Sequence, residues 1–286
     1  MARKSPTVRE RRLARALRQF REGAGLTIEE VAEKLEMSAS TVSRMETAQV
    51  GVRPRDLGFL LDMYKVSEAE RGQLLQIARE RRQQRWWQEY ADLPSISLAG
   101  LEVDASTIWQ YSTQLVPGLL QIEAYARAVL EAIRLDDKPG DIDRRLELRL
   151  HRQALLTGED APEYWVVLDE AVVRRQVGGP AVMAQQLERL AEAATLSNVT
   201  LQVLPFAAGE HAGMDGDFTV LHYRESADPD VVFIENTGSD MYLEAPAVTR
   251  RYNKIFDHLR AAAQNPGESI RTLGSIQSQL DRPERS

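Results

Sequence analysis

The sequence contains no cysteine among its 286 residues. This absence excludes disulfides, thiolate zinc sites and cysteine nucleophiles, and it is typical of a chain that works in a reducing compartment. The sequence also lacks any apolar run near the roughly 20 residues that a membrane-spanning helix needs. Its charged first residues lack the apolar segment of a secretory signal peptide, so we expect a cytoplasmic protein that does not contact a membrane.

Positive charge is in deficit overall but is concentrated at one end of the chain. The sequence has 36 Lys and Arg against 43 Asp and Glu, a formal net charge of −7. Residues 1–85 hold 18 basic and 12 acidic side chains, whereas the remaining residues hold 18 and 31. This asymmetry favours a basic nucleic-acid-binding module joined to an acidic module that senses a ligand or binds a partner.

Hydrophobic spacing in the first 85 residues predicts a compact bundle of five short helices. Gly23 and Gly25 end the first helix, and Thr27 caps the second with Glu30 as its capping-box partner. Ser38 can cap the third helix and Ser67 the fifth. The apolar positions that define the bundle are Leu13, Leu17, Phe20, Val31, Leu35, Val42, Met45, Leu57, Leu61, Leu74, Leu75 and Ile77.

The second and third helices are joined by a short turn around Glu36 and Met37, which is a helix-turn-helix arrangement. In such a motif the N-terminal part of the third helix enters the major groove of DNA. Arg44 lies four residues after Ser40, on the same helix face. An Arg there can contact guanine with two hydrogen bonds, worth ~1–3 kcal/mol of discrimination. We predict a reading edge formed by Ala39, Ser40, Thr41 and Arg44, with Val42 and Met45 turned inward.

The stretch LRQFREGAGLTIEEVAEKLEMSASTVSRMETA resembles the Cro/C1-type (XRE) helix-turn-helix family over the first quarter of the chain. The resemblance implies a structural ion pair between Arg21 and Glu46. Where the family often has a phosphate-binding Gln, this chain has Ile28, so phosphate contacts are expected from other side chains. The predicted DNA-binding residues are Thr27, Ser38, Ala39, Ser40, Thr41, Arg44, Thr47, Arg53 and Arg55.

The turn of this family favours Gly at the position that Glu36 occupies here. If the backbone is left-handed at that residue, Glu costs ~1 kcal/mol relative to Gly.

Residues 79–87 (RERRQQRWW) end the bundle, and Leu93-Pro94-Ser95 is typical of a linker. We therefore expect a DNA-binding domain over 1–85, a linker over 86–100 and an effector or dimerisation domain over 101–286.

A helical pattern runs from Ala105 to Gly158, broken at Pro117-Gly118 and at 136–140. Apolar runs predict strands at 164–168, 199–204, 218–223 and 231–234, and helices at 182–196, 247–263 and 268–280. This pattern predicts an α+β domain with a small mixed sheet of about four strands flanked by helices.

The segments VPGLLQIEAYARAVL, RLHRQALL, VVLDEAVVRRQVGG and LPFAAGEHAGMDGDF resemble the DUF5753 (Scr1-like, antitoxin-like) domain that follows an XRE domain in many actinobacterial regulators. The resemblance covers residues 101–280. It implies a developmental or antibiotic-related regulator from a filamentous actinomycete, and for some relatives a small partner protein of the DUF397 type.

Other candidate sites have two interpretations each. His211, Asp215 and Asp217 share the loop GEHAGMDGDF, which could bind a cation or act in acid–base chemistry, but a turn-forming loop is favoured. Asp169 and Glu170 follow a strand, where a helix N-terminal charge role is favoured over catalysis. The apolar turn at 116–120 could line a pocket, but a helix start with Leu in the core is favoured. Trp86 and Trp87 could stack on nucleic acid, but packing between the domains is favoured. We expect no catalytic residues, no metal and no cofactor, so an enzyme is the least favoured reading.

These observations predict a transcription regulator that binds double-stranded DNA. A monomer of this fold covers only a half-site, so we expect a homodimer that reads a palindromic operator with its recognition helices ~34 Å apart. The C-terminal domain would dimerise and bind a small-molecule effector or a small partner protein. The alternative is an antitoxin-like interaction protein whose main role is to bind that small partner.

Overall fold

The computed structural model describes residues 8–68, 70–72, 74, 75, 90, 96–224, 229–235 and 240–280. The chain divides into two compact units, residues 1–104 and residues 105–286. Within the described ranges, no helix combines the length and the apolar character that crossing a membrane requires. Four features of the sequence lie outside these ranges: Ile77, the stretch 79–87 with Trp86 and Trp87, the charged first residues, and Leu93-Pro94-Ser95.

The N-terminal unit is helical, as predicted. Its helices are α1 (Val8–Gly23), α2 (Ile28–Lys34), α3 (Ala39–Glu46), α4 (Pro54–Met63) and α5 (Ile96–Asp104). Residues 68, 70–72, 74 and 75 are also helical, and the Glu70 N–H donates to the Ser67 hydroxyl at 3.4 Å. The capping box of α2 is confirmed, because Glu30 N–H donates to Thr27 Oγ1 (3.2 Å) while Thr27 N–H donates to the Glu30 carboxylate (2.8 Å).

The apolar stripes of α1 to α4 meet in one core. Val31, Leu57 and Leu61 have no exposed surface, so they are the best-shielded residues of this cluster. The buried set contains Leu13, Leu17, Val31, Ala32, Val42, Met45, Val52, Leu57, Leu60, Leu61, Tyr64 and Leu74. Each short helix contributes part of this shared interior, because such helices are marginal by themselves and are stabilised by packing.

The C-terminal unit is α+β, as predicted. Its longer helices are α6 (Glu123–Ile133), α7 (Pro139–Gln153), α8 (Glu170–Arg174), α9 (Pro180–Ala193), α10 (Pro246–Ala262) and α11 (Pro266–Leu280). Its strands are β1 (Thr107–Ser112), β2 (Glu163–Asp169), β3 (Val199–Leu204), β4 (Phe218–His222), β5 (Val231–Ile234) and β6 (Met241–Leu243). Proline at the first turn starts α7, α9 and α10, where its missing N–H has no cost.

The strands form one mixed sheet of six strands in the order β3-β2-β1-β4-β5-β6. The pairs β1–β2 and β2–β3 are parallel, and the pairs from β1–β4 to β5–β6 are antiparallel. The prediction of about four strands was therefore wrong. It omitted β1, because we assigned a helical pattern from Ala105 onward, and β6, because three residues at a sheet edge are too short to show a period.

One face of the sheet is covered by α10. Phe256 and Leu259 of that helix are fully buried and pack against Tyr111, Phe218 and neighbouring strand residues. The Phe256 ring also stacks on the Trp109 ring, with centroids 5.0 Å apart. Beside it, the guanidinium of Arg260 lies 4.8 Å from the centroid of the Trp165 ring. One core cluster of this unit is thus an aromatic layer between β1, β2, β4 and α10.

Candidate nucleic-acid interface

The helices α2 and α3 are joined by a tight turn at residues 35–38. Glu36 has φ +53°, so the left-handed backbone considered from the sequence is present. The turn is closed by hydrogen bonds from Glu36 N–H to the Glu33 carbonyl (3.1 Å) and from Met37 N–H to the Ala32 carbonyl (2.9 Å). This backbone path orients α3 across α2 as in a helix-turn-helix motif.

Helix α3 has one face in the core and the opposite face in solvent. Val42 and Met45 are 2% and 5% exposed and belong to the core cluster, as predicted. Ser40 and Arg44 are exposed. Ala39 is half-buried and packs against the core, while Thr41 is half-buried. Of the predicted reading edge, Ser40 and Arg44 are therefore the most accessible side chains.

The first turn of α3 carries a group of linked hydroxyls. Ser38 caps the helix by accepting the Thr41 N–H at 3.2 Å. Its Oγ also lies 2.9 Å from Ser40 Oγ and 2.8 Å from Thr41 Oγ1. The Nε of Arg44 donates to the Ser40 carbonyl at 3.3 Å, so the guanidinium rests beside the same turn. Hydroxyls and guanidinium together form a polar surface that can both donate and accept hydrogen bonds.

Four further predicted DNA-binding residues lie at the surface, close in the sequence to α2 and α3. Thr27 precedes α2, Thr47 follows α3, Arg53 precedes α4 and Arg55 lies in its first turn. All four side chains are exposed. Thr47 Oγ1 donates to the Ser43 carbonyl at 2.9 Å, which closes the end of α3. Exposure keeps these side chains available to phosphates, and their contact with DNA stays a prediction.

A buried ion pair joins α1 to the end of α3. Arg21 Nε donates to Glu46 Oε1 at 2.7 Å, and Arg21 Nη2 donates to Glu46 Oε2 at 3.0 Å. The two side chains are 10% and 6% exposed. The hydrogen bond with Glu46 raises the pKa of Arg21, while burial, followed by the Glu46 charge, raises the pKa of Tyr64 to about 12.

Arg21 has another partner that the sequence does not predict. Its Nη1 donates to the Leu26 carbonyl at 2.8 Å. A backbone carbonyl carries no residue-type signal, so sequence reasoning had no means of finding it. Through this bond and the Glu46 pair, one guanidinium holds α1, the loop before α2 and the end of α3 in a fixed relation.

The candidate sites of the C-terminal unit mostly follow the favoured structural interpretation. Asp169 caps α8 by accepting the Ala171 N–H at 2.8 Å. Leu119 and Leu120 are buried in a single 3₁₀ turn, which agrees with the core interpretation of 116–120. Within the described ranges, no group of three or more His, Asp and Glu side chains is arranged to hold a metal ion.

Comparison with known protein families finds a match in each part of the chain. Residues 96–275 match the family described as Domain of unknown function (DUF5753). Residues 12–74 match a family described as Helix-turn-helix domain. No curated protein and no solved structure matches the chain significantly.

Proposed function

The chain belongs to the DUF5753 family and carries a helix-turn-helix domain, and from this premise we propose that it is a sequence-specific, DNA-binding transcription regulator of the Cro/C1 (XRE) type. The observation that carries the proposal is the two-sided α3. Val42 and Met45 hold the helix in the core, while Ser40 and Arg44 stand exposed on the opposite side. A helix held in this way can enter the major groove without disturbing the bundle.

Each exposed group on α3 has a role in this proposal. Arg44 extends from its resting position beside the Ser40 carbonyl and contacts a guanine. Ser40 and Thr41 contact base edges or phosphates through their hydroxyls, and Ser38 shares the same surface. The methyl of Ala39 contacts a thymine methyl with the part of its surface that remains exposed.

Phosphate contacts come from the surrounding surface. Four exposed residues lie close to α3 in the sequence: Thr27, Thr47, Arg53 and Arg55. Because Ile28 stands in place of a Gln, one helix-turn-helix unit binds the phosphate backbone of DNA weakly. A homodimer that reads a palindromic operator compensates by doubling the contacts. The C-terminal unit supplies dimerisation and a site for a small molecule or small protein whose binding changes DNA affinity.

The test begins with selection of duplexes from a randomised DNA library by the full chain, followed by affinity measurements over a range of salt concentrations. Affinity for the selected duplex should fall as salt rises, because bound basic residues release counterions. Arg44→Ala should lower the affinity for that duplex by roughly 10- to 100-fold, which corresponds to the loss of one bidentate base contact. Arg18→Ala, an exposed change on α1, is the matched control and should bind as the unchanged chain does.

Two results would contradict the proposal. The first is a selection that enriches no sequence at low salt. The second is an Arg44→Ala variant that selects the same duplex with the same affinity. An enriched sequence without two-fold symmetry would instead remove the homodimer from the proposal and leave DNA binding in place.

A second candidate function is an antitoxin-like role in which the chain mainly binds a small partner protein. The acidic excess of residues 86–286, with 31 acidic and 18 basic side chains, supports it by offering a complementary surface to a basic partner. Purification of the full chain from its native host distinguishes the two functions. A stoichiometric small protein that remains bound while the DNA selection enriches nothing favours this candidate over the regulator.

A further inference from the structure

Polar side chains from three segments meet where β1 and β2 end. In the parallel pair β1–β2, Tyr111 lies opposite Val167. Asp169 is two residues beyond Val167, so its side chain is on the same face of the sheet as Tyr111. Tyr111 also lies opposite Phe218 of the antiparallel β4, which brings Asp217 to the same edge. The loop before β4 adds His211, whose ring centroid is 5.9 Å from that of Tyr111.

The hydroxyl of Tyr111 is buried without a hydrogen bond. The residue has no exposed surface, and its Oη has no hydrogen-bond partner in the described part of the chain. Burial, and next the negative charges of Asp169 and Asp217, raise the pKa of Tyr111. A buried hydroxyl without a partner is costly, and its presence points to a group that completes the site.

Gly213 makes room for this tyrosine. A Cβ at this position would come within 2.5 Å of Tyr111 Cε1, so the loop can close over the ring only with glycine there. The Gly213 N–H also donates to His211 Nδ1 at 3.2 Å. Since Nδ1 accepts that bond, the proton of the neutral ring is on Nε2, which faces Asp169.

His211 and Asp169 face each other but do not bond. The distance from His211 Nε2 to Asp169 Oδ2 is 3.9 Å, too long for a hydrogen bond. The other oxygen, Asp169 Oδ1, accepts the Ala171 N–H. A ligand group beside this gap can accept from His211 Nε2 and donate to Asp169 Oδ2, which is what an alcohol hydroxyl does.

The cluster has an excess of negative charge. Asp217 accepts the Thr113 N–H at 2.8 Å and also the Thr113 hydroxyl. Burial, and after it the charges of Glu235 and Asp169, raise the pKa of Asp217. These carboxylates favour a cation, and an organic one, because the described residues offer no group of three metal-ligating side chains.

We propose that Tyr111, Asp169, His211 and Asp217 form a binding site for a small amine that also carries a hydroxyl group. The ammonium group pairs with the carboxylates of Asp169 and Asp217. The hydroxyl group bridges His211 and Asp169 and gives the Tyr111 hydroxyl its missing partner. The inference rests on the proposed sensor role of the C-terminal unit and names the class of ligand and its site.

The test is an NMR titration of the full chain with ethanolamine, in the absence of DNA, that follows the histidine ring signals. The chain has four histidines, so a His211→Gln variant assigns the relevant signal. We expect a saturable shift of the His211 signal, a weaker effect with ethylamine, and none with ethylene glycol. An equal effect of ethylene glycol would overturn the cation in the proposal.

Two variants separate a binding role from a folding role. Asp169→Asn keeps the cap on α8, because Asn caps helices as well as Asp does, but it removes the charge. It should weaken ethanolamine binding about ten-fold or more, as the loss of a charged hydrogen bond does. Tyr111→Phe should weaken it less and leave the fold intact. The matched control is Glu210→Gln, an exposed change in the same loop, which should bind ethanolamine as the unchanged chain does.

An unmoved His211 signal in the unchanged chain would overturn the proposal, and so would equal affinity in Asp169→Asn. Because no DNA is present, either result leaves the DNA-binding function standing. Conversely, failure of the DNA selection described above would not alter this titration, so the two proposals fail separately.

Discussion

The two units of the chain bury different kinds of polar side chain. In the N-terminal unit, Ser40 and Arg44 are exposed to solvent, and the charged pair Arg21–Glu46 is buried. In the C-terminal unit, neutral amides are buried, among them Gln121, Gln186 and Gln202. A helix satisfies its own backbone, whereas strands and turns that meet in a core leave backbone groups that side chains must satisfy.

The buried amides of the C-terminal unit show this clearly. Gln186 on α9 accepts the Ile122 N–H and donates to the Leu120 carbonyl, both at 2.8 Å. It therefore satisfies a turn more than 60 residues earlier in the chain. Gln186 thus links distant segments of the C-terminal unit by hydrogen bonds, as the Arg21 guanidinium does in the N-terminal unit.

The units also differ in where the backbone is strained. In the described part of the chain, the non-glycine residues with positive φ are Glu36, Ala48 and Lys65, all in the N-terminal unit. In the C-terminal unit, the positive-φ positions among the described residues are glycines. The short turns between the N-terminal helices thus carry a conformational cost that the other unit avoids.

The largest expected effect tests the buried charge. Arg21→Met should destabilise the N-terminal unit by about 4 kcal/mol, because it leaves the Glu46 carboxylate buried without its partner. Hydrogen exchange of amides in α1 and α3 measures this loss. Arg18→Met removes an exposed ion pair with Glu22 and should change exchange little. Equal effects of the two changes would mean that the buried pair is not a structural link.

The next effect tests the buried amide. Gln186→Leu should destabilise the C-terminal unit by about 3 kcal/mol, because the Ile122 N–H and the Leu120 carbonyl lose their partner. Urea unfolding followed by the fluorescence of Trp109 and Trp165, with Trp86 and Trp87 replaced by Phe, reports on this unit. Gln185→Leu, at the exposed neighbouring position of α9, is the matched control and should leave the midpoint nearly unchanged. A stable Gln186→Leu variant would contradict the interpretation.

The smallest expected effect tests the strained turn, and it is a stabilisation, whereas the two changes above destabilise their units. Glu36→Gly should stabilise the N-terminal unit by about 1 kcal/mol, because φ +53° carries no Cβ penalty for glycine. Glu33→Gly, an exposed change in α2, should destabilise it by about 1 kcal/mol, because glycine disfavours a helix interior. Chemical unfolding of both variants gives the comparison, and destabilisation by Glu36→Gly would refute the assigned strain.

The N-terminal unit was largely predictable because its determinants are local. Thr27 with Glu30, Ser38, and the inward Val42 and Met45 are all specified within a few residues of each other. The left-handed backbone at Glu36 was considered only as a condition, from the Gly that the resembled family favours at this turn position, and it is present. The inward packing of Ala39 was not predicted, because the angle between α3 and the rest of the bundle decides which methyl meets the core.

The C-terminal unit was less predictable because its determinants are distant in sequence. Strand β1 was misread as helical, since its central position in the sheet buries both faces and removes a clear alternation. The cluster of Tyr111, Asp169, His211 and Asp217 is spread over more than 100 residues. Only His211 and Asp217 share a loop whose polarity drew attention to it.

The amino-acid sequence alone specified helices α1 to α4, the caps of α2 and α3, the division of charge and the two-sided α3, because helical periodicity and capping act within one or two turns. The tertiary structure decided the six-strand order, the buried amides and the meeting of Tyr111 with the carboxylates. These features depend on strand pairing between distant segments, and a local pattern of residues does not specify which strands become neighbours.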